Sequence, residues 1–171
     1  EDGQEIGKYF RENRNPLEFE QLPLNIVNTL ISTEDARFTS HSGIDLRSMF
    51  RVVFSLGTAG GGSTITQQLA KNLFNTRSME FGEDDPVYIG LLMKVDGLRT
   101  VIAKVKEWIL AIRLERRYTK QEIMAMYLNE VSFGNNAYGI QVACRTYFQK
   151  DLQEVSLSEA ATLIGLLQNP S

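Results

Sequence analysis

Apolar positions recur at helical spacing along most of the chain, and strand-like alternation is scarce, so the pattern predicts a mainly α fold. Pro23 suits the first turn of a helix whose Leu24, Val27 and Ile31 share a face, which delivers Glu34 and Asp35 at or just past its end. A second helix fits Asp45 as N-cap, Leu46, Met49, Phe50 and Val53 as buried face, and Gly57 as stop. Three later helices each open with a capping box, in which a hydroxyl and a Glu or Gln three residues on satisfy free backbone N–H groups reciprocally. The pairs are Thr64 with Gln67, Thr119 with Glu122, and Ser156 with Glu159. Val101, Val105, Trp108, Ile109 and Ile112 form the apolar stripe of a long helix over 101–117, and a helix over 137–148 buries Ile140, Cys144, Tyr147 and Phe148. Residues 75–100 are the least regular and read as a long connection; their apolar run at 87–93 either packs on the core or dips into a lipid surface.

Composition narrows this picture. With 171 residues, 43% of them hydrophobic, the chain can bury the core of one globular domain. Its single cysteine, Cys144, forms no internal disulfide and sits at core spacing rather than as a nucleophile. No run of 18 apolar residues occurs and the first residues are acidic, so any membrane anchor or export signal is expected outside this chain. The net charge of −3 conceals an asymmetry: residues 1–40 carry eight acids and four bases, whereas 94–120 carry eight bases and three acids. The second stretch is suited to an anionic ligand.

Four blocks hold the candidate chemistry. Glu34 and Asp35 are adjacent carboxyls at the end of an apolar helix, either a solvated helix end or a pair that is used. His41 follows as the chain's one histidine, so no second His supports a metal site. In the second block, Gly60, Gly61 and Gly62 let the backbone approach a ligand, the helix start after them offers free N–H groups, and Ser63, Gln67 and Lys71 recur every fourth residue. That face could grip a phosphate or sugar, although the residue order is not that of a nucleotide P-loop. Lys104 and Glu107 can share a helix face away from the Val105, Trp108, Ile112 stripe, as a functional pair or a routine surface ion pair. The stretch Lys120 through Asn129 mostly reads as a packed helix.

Together and in this order, the blocks resemble the family 51 glycosyltransferases, the peptidoglycan polymerase domain of class A penicillin-binding proteins and of monofunctional transglycosylases. Glu-Asp-x-x-Phe-x-x-His-x-Gly runs from Glu34 to Gly43, Gly-Gly-Ser-Thr-Ile-Thr-Gln-Gln-Leu-x-Lys-Asn is complete from Gly61 to Asn72, and Lys-x-x-Ile-x-x-x-Tyr-Leu-Asn spans Lys120 to Asn129. The resemblance implies a lysozyme-like fold with a helical head lobe and a smaller jaw lobe. It implies polymerisation of lipid II into β-1,4-linked strands with inversion and loss of undecaprenyl pyrophosphate, at the extracytoplasmic face of the bacterial cytoplasmic membrane. Glu34 would then be the general base. Ser63, Gln67, Gln68, Lys71, Asn72 and Lys104 would bind substrate and pyrophosphate. Glu107 would assist the leaving group or help hold a divalent cation, Mg²⁺ or Mn²⁺. Asp35, Phe38, His41, Gly43, Thr64 and Asn129 would orient the motifs. The implied partners are lipid II, the growing glycan, the membrane surface and other cell-wall synthesis proteins, with no nucleic acid.

Three departures from the family pattern stand. Ala103 occupies a position where Arg is common, the segment from Phe74 to Lys104 is longer than expected, and the chain stops before the last family motif, as an excerpt of a larger protein would. A glycan-cleaving muramidase on the same fold and an inactive lipid II-binding domain are the competing expectations.

Overall fold

The computed structural model describes residues 16–48, 62–74 and 96–167, with side chains described from residue 102 onward in the last stretch. Among the described residues the chain is mainly helical: α1 (Leu24–Glu34), α2 (Ile65–Phe74), α3 (Asp96–Arg117), α4 (Lys120–Glu130), α5 (Ile140–Phe148) and α6 (Leu157–Leu166), with short 3₁₀ turns at Phe19–Gln21, Phe38–Ser40 and Leu152–Glu154. α2 packs on both α3 and α4, and α1 packs on α6. The apolar run at 87–93, the residues Met49, Phe50, Val53 and Gly57, and the glycines at 60 and 61 lie outside the described residues.

All three capping boxes form. Thr119 N–H donates to Glu122 at 2.7 Å while Glu122 N–H donates back to the Thr119 hydroxyl at 3.2 Å. Ser156 and Glu159 repeat the exchange at 2.8 and 3.3 Å, and Thr64 and Gln67 at 3.4 and 3.1 Å. Each box satisfies donors that a helix start otherwise leaves bare.

α2 and α4 bury more than one stripe because each is packed on more than one side. Ile65, Leu69 and Ala70 of α2 join Ile123, Met124, Tyr127 and Leu128 of α4 in one core with Ile26, Val27 and Leu30 of α1 and Leu163 and Ile164 of α6. Each large side chain so buried contributes about 1.5–3 kcal/mol. Cys144 lies in this core, and burial pushes its thiol up to about 11, as expected of a packing residue.

Several sequence expectations need correction. Pro23 stands just before α1 as its N-cap rather than in its first turn, with its carbonyl accepting from Ile26 and Val27. The buried face of α1 is Ile26, Val27 and Leu30; Leu24 is 71% exposed and Ile31 half-buried, because the core lies one position round from the face the apolar spacing suggested. Leu46 is exposed. On α3 the expectation inverts: Val105 and Ile109 are exposed, Trp108 and Ile112 are half-buried, and the face turned inward carries Glu107, Ala111 and Leu114. α3 also begins earlier than the stripe indicated, at Asp96. α5 begins later than 137, because residues 132–138 form a turn closed by a bridge between Ser132 and Tyr138, and Tyr147 and Phe148 are half-buried.

Gly139, at the end of that turn, has φ of +79°, and a Cβ there would lie 2.6 Å from the carbonyl oxygen of Asn129. Gly165, inside α6, faces open space. Gly139→Ala is therefore expected to lower stability by about 2 kcal/mol or more, and Gly165→Ala to raise it by about 0.5–1 kcal/mol. Urea unfolding midpoints of the two variants should move in opposite directions.

Candidate active site

The site is assembled on the start of α2. Asp35, the residue after α1, is buried and accepts the Ile65 N–H at 3.1 Å, so the end of α1 is fastened to the first turn of α2. His41 holds the same carboxylate: its Nε2 lies 2.9 and 3.1 Å from the two oxygens of Asp35, while its Nδ1 accepts the Gly43 N–H at 3.2 Å. Since Nδ1 is an acceptor, the ring donates through Nε2 to the Asp35 carboxylate. Gly43 has φ of +92°, and a Cβ there would come within 2.9 Å of the Ala111 carbonyl group on α3. Its own carbonyl accepts the Thr64 hydroxyl at 2.7 Å. Phe38 is buried, edge-on to His41, with the Lys120 ammonium 4.4 Å from its ring centroid.

The Glu34 carboxylate is held on one side only. Oε2 accepts the amide N–H of Gln68 at 3.0 Å, and the amide oxygen of Gln68 accepts the Tyr127 hydroxyl at 2.9 Å. Oε1 is buried and has no hydrogen-bond partner among the described residues. Such a buried orphan oxygen is unfavourable in a purely structural carboxylate and suited to one that receives a proton from a ligand. Burial, and behind it the charge of Glu34, push the Tyr127 phenol well above its ordinary value.

A lysine–glutamate pair meets Ser63, the residue before the α2 cap. The Lys104 ammonium on α3 donates to the Ser63 hydroxyl at 2.7 Å and to Glu107 Oε2 at 2.6 Å. Glu107 is 2% exposed, whereas the Lys104 side chain is 37% exposed. Two of three ammonium protons are committed to protein partners, and the group faces outward enough to meet an anion.

The remaining expected site residues fall in differing places. Gln67 is buried and its amide oxygen belongs to the α2 cap. Gln68, expected to bind substrate, has its amide spanning Glu34 and Tyr127. Lys71 is half-buried and Asn72 exposed further along α2. Asn129 pairs its side-chain amide with the backbone of Leu17, accepting at 3.0 Å and donating at 2.9 Å, and so ties the described N-terminal stretch to α4.

Three residues of this network were given no role in the sequence reading, although Lys120 and Tyr127 are fixed positions of its Lys120 to Asn129 block. Tyr127 read as one more apolar helix position; the signal was a phenol among core residues, whose O–H needs a partner. Glu115 and Lys120 form a second, half-buried node: the Lys120 ammonium donates to Glu115 and to the His41 carbonyl, each at 2.7 Å, and Thr66 donates to Glu115 at 2.5 Å. This node joins α2, α3 and α4 to the His41 loop, and no local spacing marks it.

Among the described residues no three His, Cys, Asp or Glu side chains converge as a metal cage would require. None of the helices there is long and apolar enough to cross a membrane.

A family model described as Transglycosylase matches residues 2–171. The chain is 38% identical over 175 residues to penicillin-binding protein 1F of Bacillus subtilis, covering 100% of this chain and 22% of that protein. It is 35% identical to penicillin-binding protein 1A of Pseudomonas aeruginosa, covering 100% of the chain and 19% of the relative, and 37% identical to penicillin-binding protein 1A of Escherichia coli, covering 99% and 18%. The chain thus spans about a fifth of the length of the curated relatives it matches. With a family model matched along nearly its whole length and full-chain relatives of this identity, the chain belongs to the transglycosylase family.

Proposed function

We propose that the domain is a peptidoglycan glycosyltransferase that joins lipid II units into β-1,4-linked glycan strands, with inversion and release of undecaprenyl pyrophosphate. The observation that carries this reading is the one-sided hold on Glu34: Gln68 fixes Oε2, and Oε1 is buried with no hydrogen-bond partner among the described residues. A base needs that geometry, with one oxygen setting the orientation and the other turned to the reacting proton.

In the reaction, the 4-hydroxyl oxygen of the acceptor lipid II forms a bond to the anomeric carbon of the growing donor chain. Its proton passes to Glu34 Oε1, and the anomeric carbon–oxygen bond to the pyrophosphate breaks with its electron pair on the leaving group. The negative charge that builds there calls for preorganised cations and donors. Lys104 and Ser63, hydrogen-bonded to each other, have the chemistry for that task, as does Lys71 further along α2. Glu107 holds the Lys104 ammonium in position through its buried carboxylate. A hydrolase, whose leaving group is a sugar hydroxyl, would need no cation placed for a pyrophosphate.

A divalent cation would fit as a counter-ion carried by the pyrophosphate, with Glu107, the carboxylate bound to Lys104, able to help hold it. It would supply charge neutralisation to the departing phosphates. The polyprenyl tail of lipid II confines the substrate to a bilayer, so the proposed reaction belongs at a membrane surface; the extracytoplasmic face and neighbouring cell-wall synthesis proteins are part of the same proposal.

Incubating the intact protein with fluorescent lipid II in detergent and separating the products on a gel tests the reading. Glu34→Gln keeps size and hydrogen bonding and is expected to lower turnover by about 100-fold or more with lipid II binding retained; a full ladder from this variant would remove Glu34 from the chemistry. Lys104→Met, which keeps most of the stem but removes the charge, is expected to lower turnover by about 100-fold. Parent-level turnover there would take Lys104 away from the leaving group.

A further inference from the structure

We infer that Tyr127 is a positioning residue for the base, acting through Gln68; this rests on the assignment of Glu34 above. A glutamine amide has a donor end and an acceptor end of nearly the same shape, so packing alone does not decide which end meets a neighbour. At Gln68 the choice matters. With its nitrogen toward Glu34 it donates to Oε2, as observed at 3.0 Å, whereas its oxygen in that place would set acceptor against acceptor.

Tyr127 settles the choice. Its side chain is fully buried on α4, where a phenol must direct its O–H at an acceptor, and the Gln68 oxygen receives it at 2.9 Å. Burial favours the neutral phenol, so the group remains a donor. Pinning the amide oxygen to Tyr127 turns the amide nitrogen to Glu34, and the carboxylate is thereby rotated so that Oε1 is the oxygen left over. The relay runs from α4 through α2 to the end of α1 and involves no contact between Tyr127 and substrate, since Tyr127 is sealed in the core.

Steady-state polymerisation of lipid II by the intact protein tests this. Tyr127→Phe keeps the ring and loses the O–H; kcat is expected to fall by about 5–10-fold, with the KM for lipid II unchanged. In a Gln68→Met background, where the amide is gone at similar volume, adding Tyr127→Phe should change kcat by less than about twofold. A Tyr127→Phe protein that turns over at the parent rate, or that loses the same factor in both backgrounds, overturns the relay. Thermal melts establish that the variants are folded. If Tyr127→Phe does not fold, Gln68→Met decides alone: lower kcat at unchanged KM supports the relay, and parent kcat overturns it. Glu34→Gln in the same assay separates the two levels of the argument. Retained turnover in that variant defeats the base assignment, whereas its loss alongside a fully active Tyr127→Phe defeats the relay and leaves the base in place.

Discussion

Asp35 receives the Ile65 N–H into a buried carboxylate, and the rest of the site is arranged around that bond. The first turn of a helix carries N–H groups without intrahelical partners and a partial positive charge, both of which favour an anion there. By supplying that anion from the residue after α1, the fold brings the Glu34 backbone to the one place where Gln68, three residues into α2, can hold its side chain. His41 completes the shell of Asp35, and through Gly43 and Thr64 the same loop is joined to α3 and to the α2 cap. A carboxylate in so little water is stable when its acceptor sites are filled, as those of Asp35 are.

Glu34 differs from its neighbour in this respect. Asp35 has its oxygens shared between an imidazole and a backbone N–H, and Glu107 and Glu115 are each met by a lysine ammonium. Asp45 follows the same rule: burial alone would raise its carboxyl, but hydrogen bonds from Arg37 and Ser48 hold it well below the usual carboxylate range. Against that background, one buried oxygen of Glu34 has no hydrogen-bond partner among the described residues, the polar capacity on which the proposed base role rests.

α3 illustrates how polar residues can claim the inside of a helix. Glu107 and Glu115 turn inward because Lys104 and Ser63, then Lys120 and Thr66, meet them there, while Val105 and Ile109 are displaced outward. Paired buried charges tolerate this exchange when every partner is in place.

Local chemistry was legible from the chain. The caps at Thr64, Thr119 and Ser156 depend on residues three apart, and the mainly helical character depends on spacing within one turn. The motif residues from Glu34 to Gly43, from Gly61 to Asn72 and from Lys120 to Asn129 identified the family before any coordinates, because their order alone is specific. Which face of α3 is buried, which oxygen of Glu34 is free, and that Gln68 serves Glu34 were decided by tertiary structure. Each depends on groups dozens of residues apart, such as Gln68 and Tyr127 or Lys104 and Ser63, whose donors and acceptors meet only when α2 is packed between α3 and α4. Periodicity records what a residue does to its own helix; it carries no record of the hydrogen bond that a distant helix will offer.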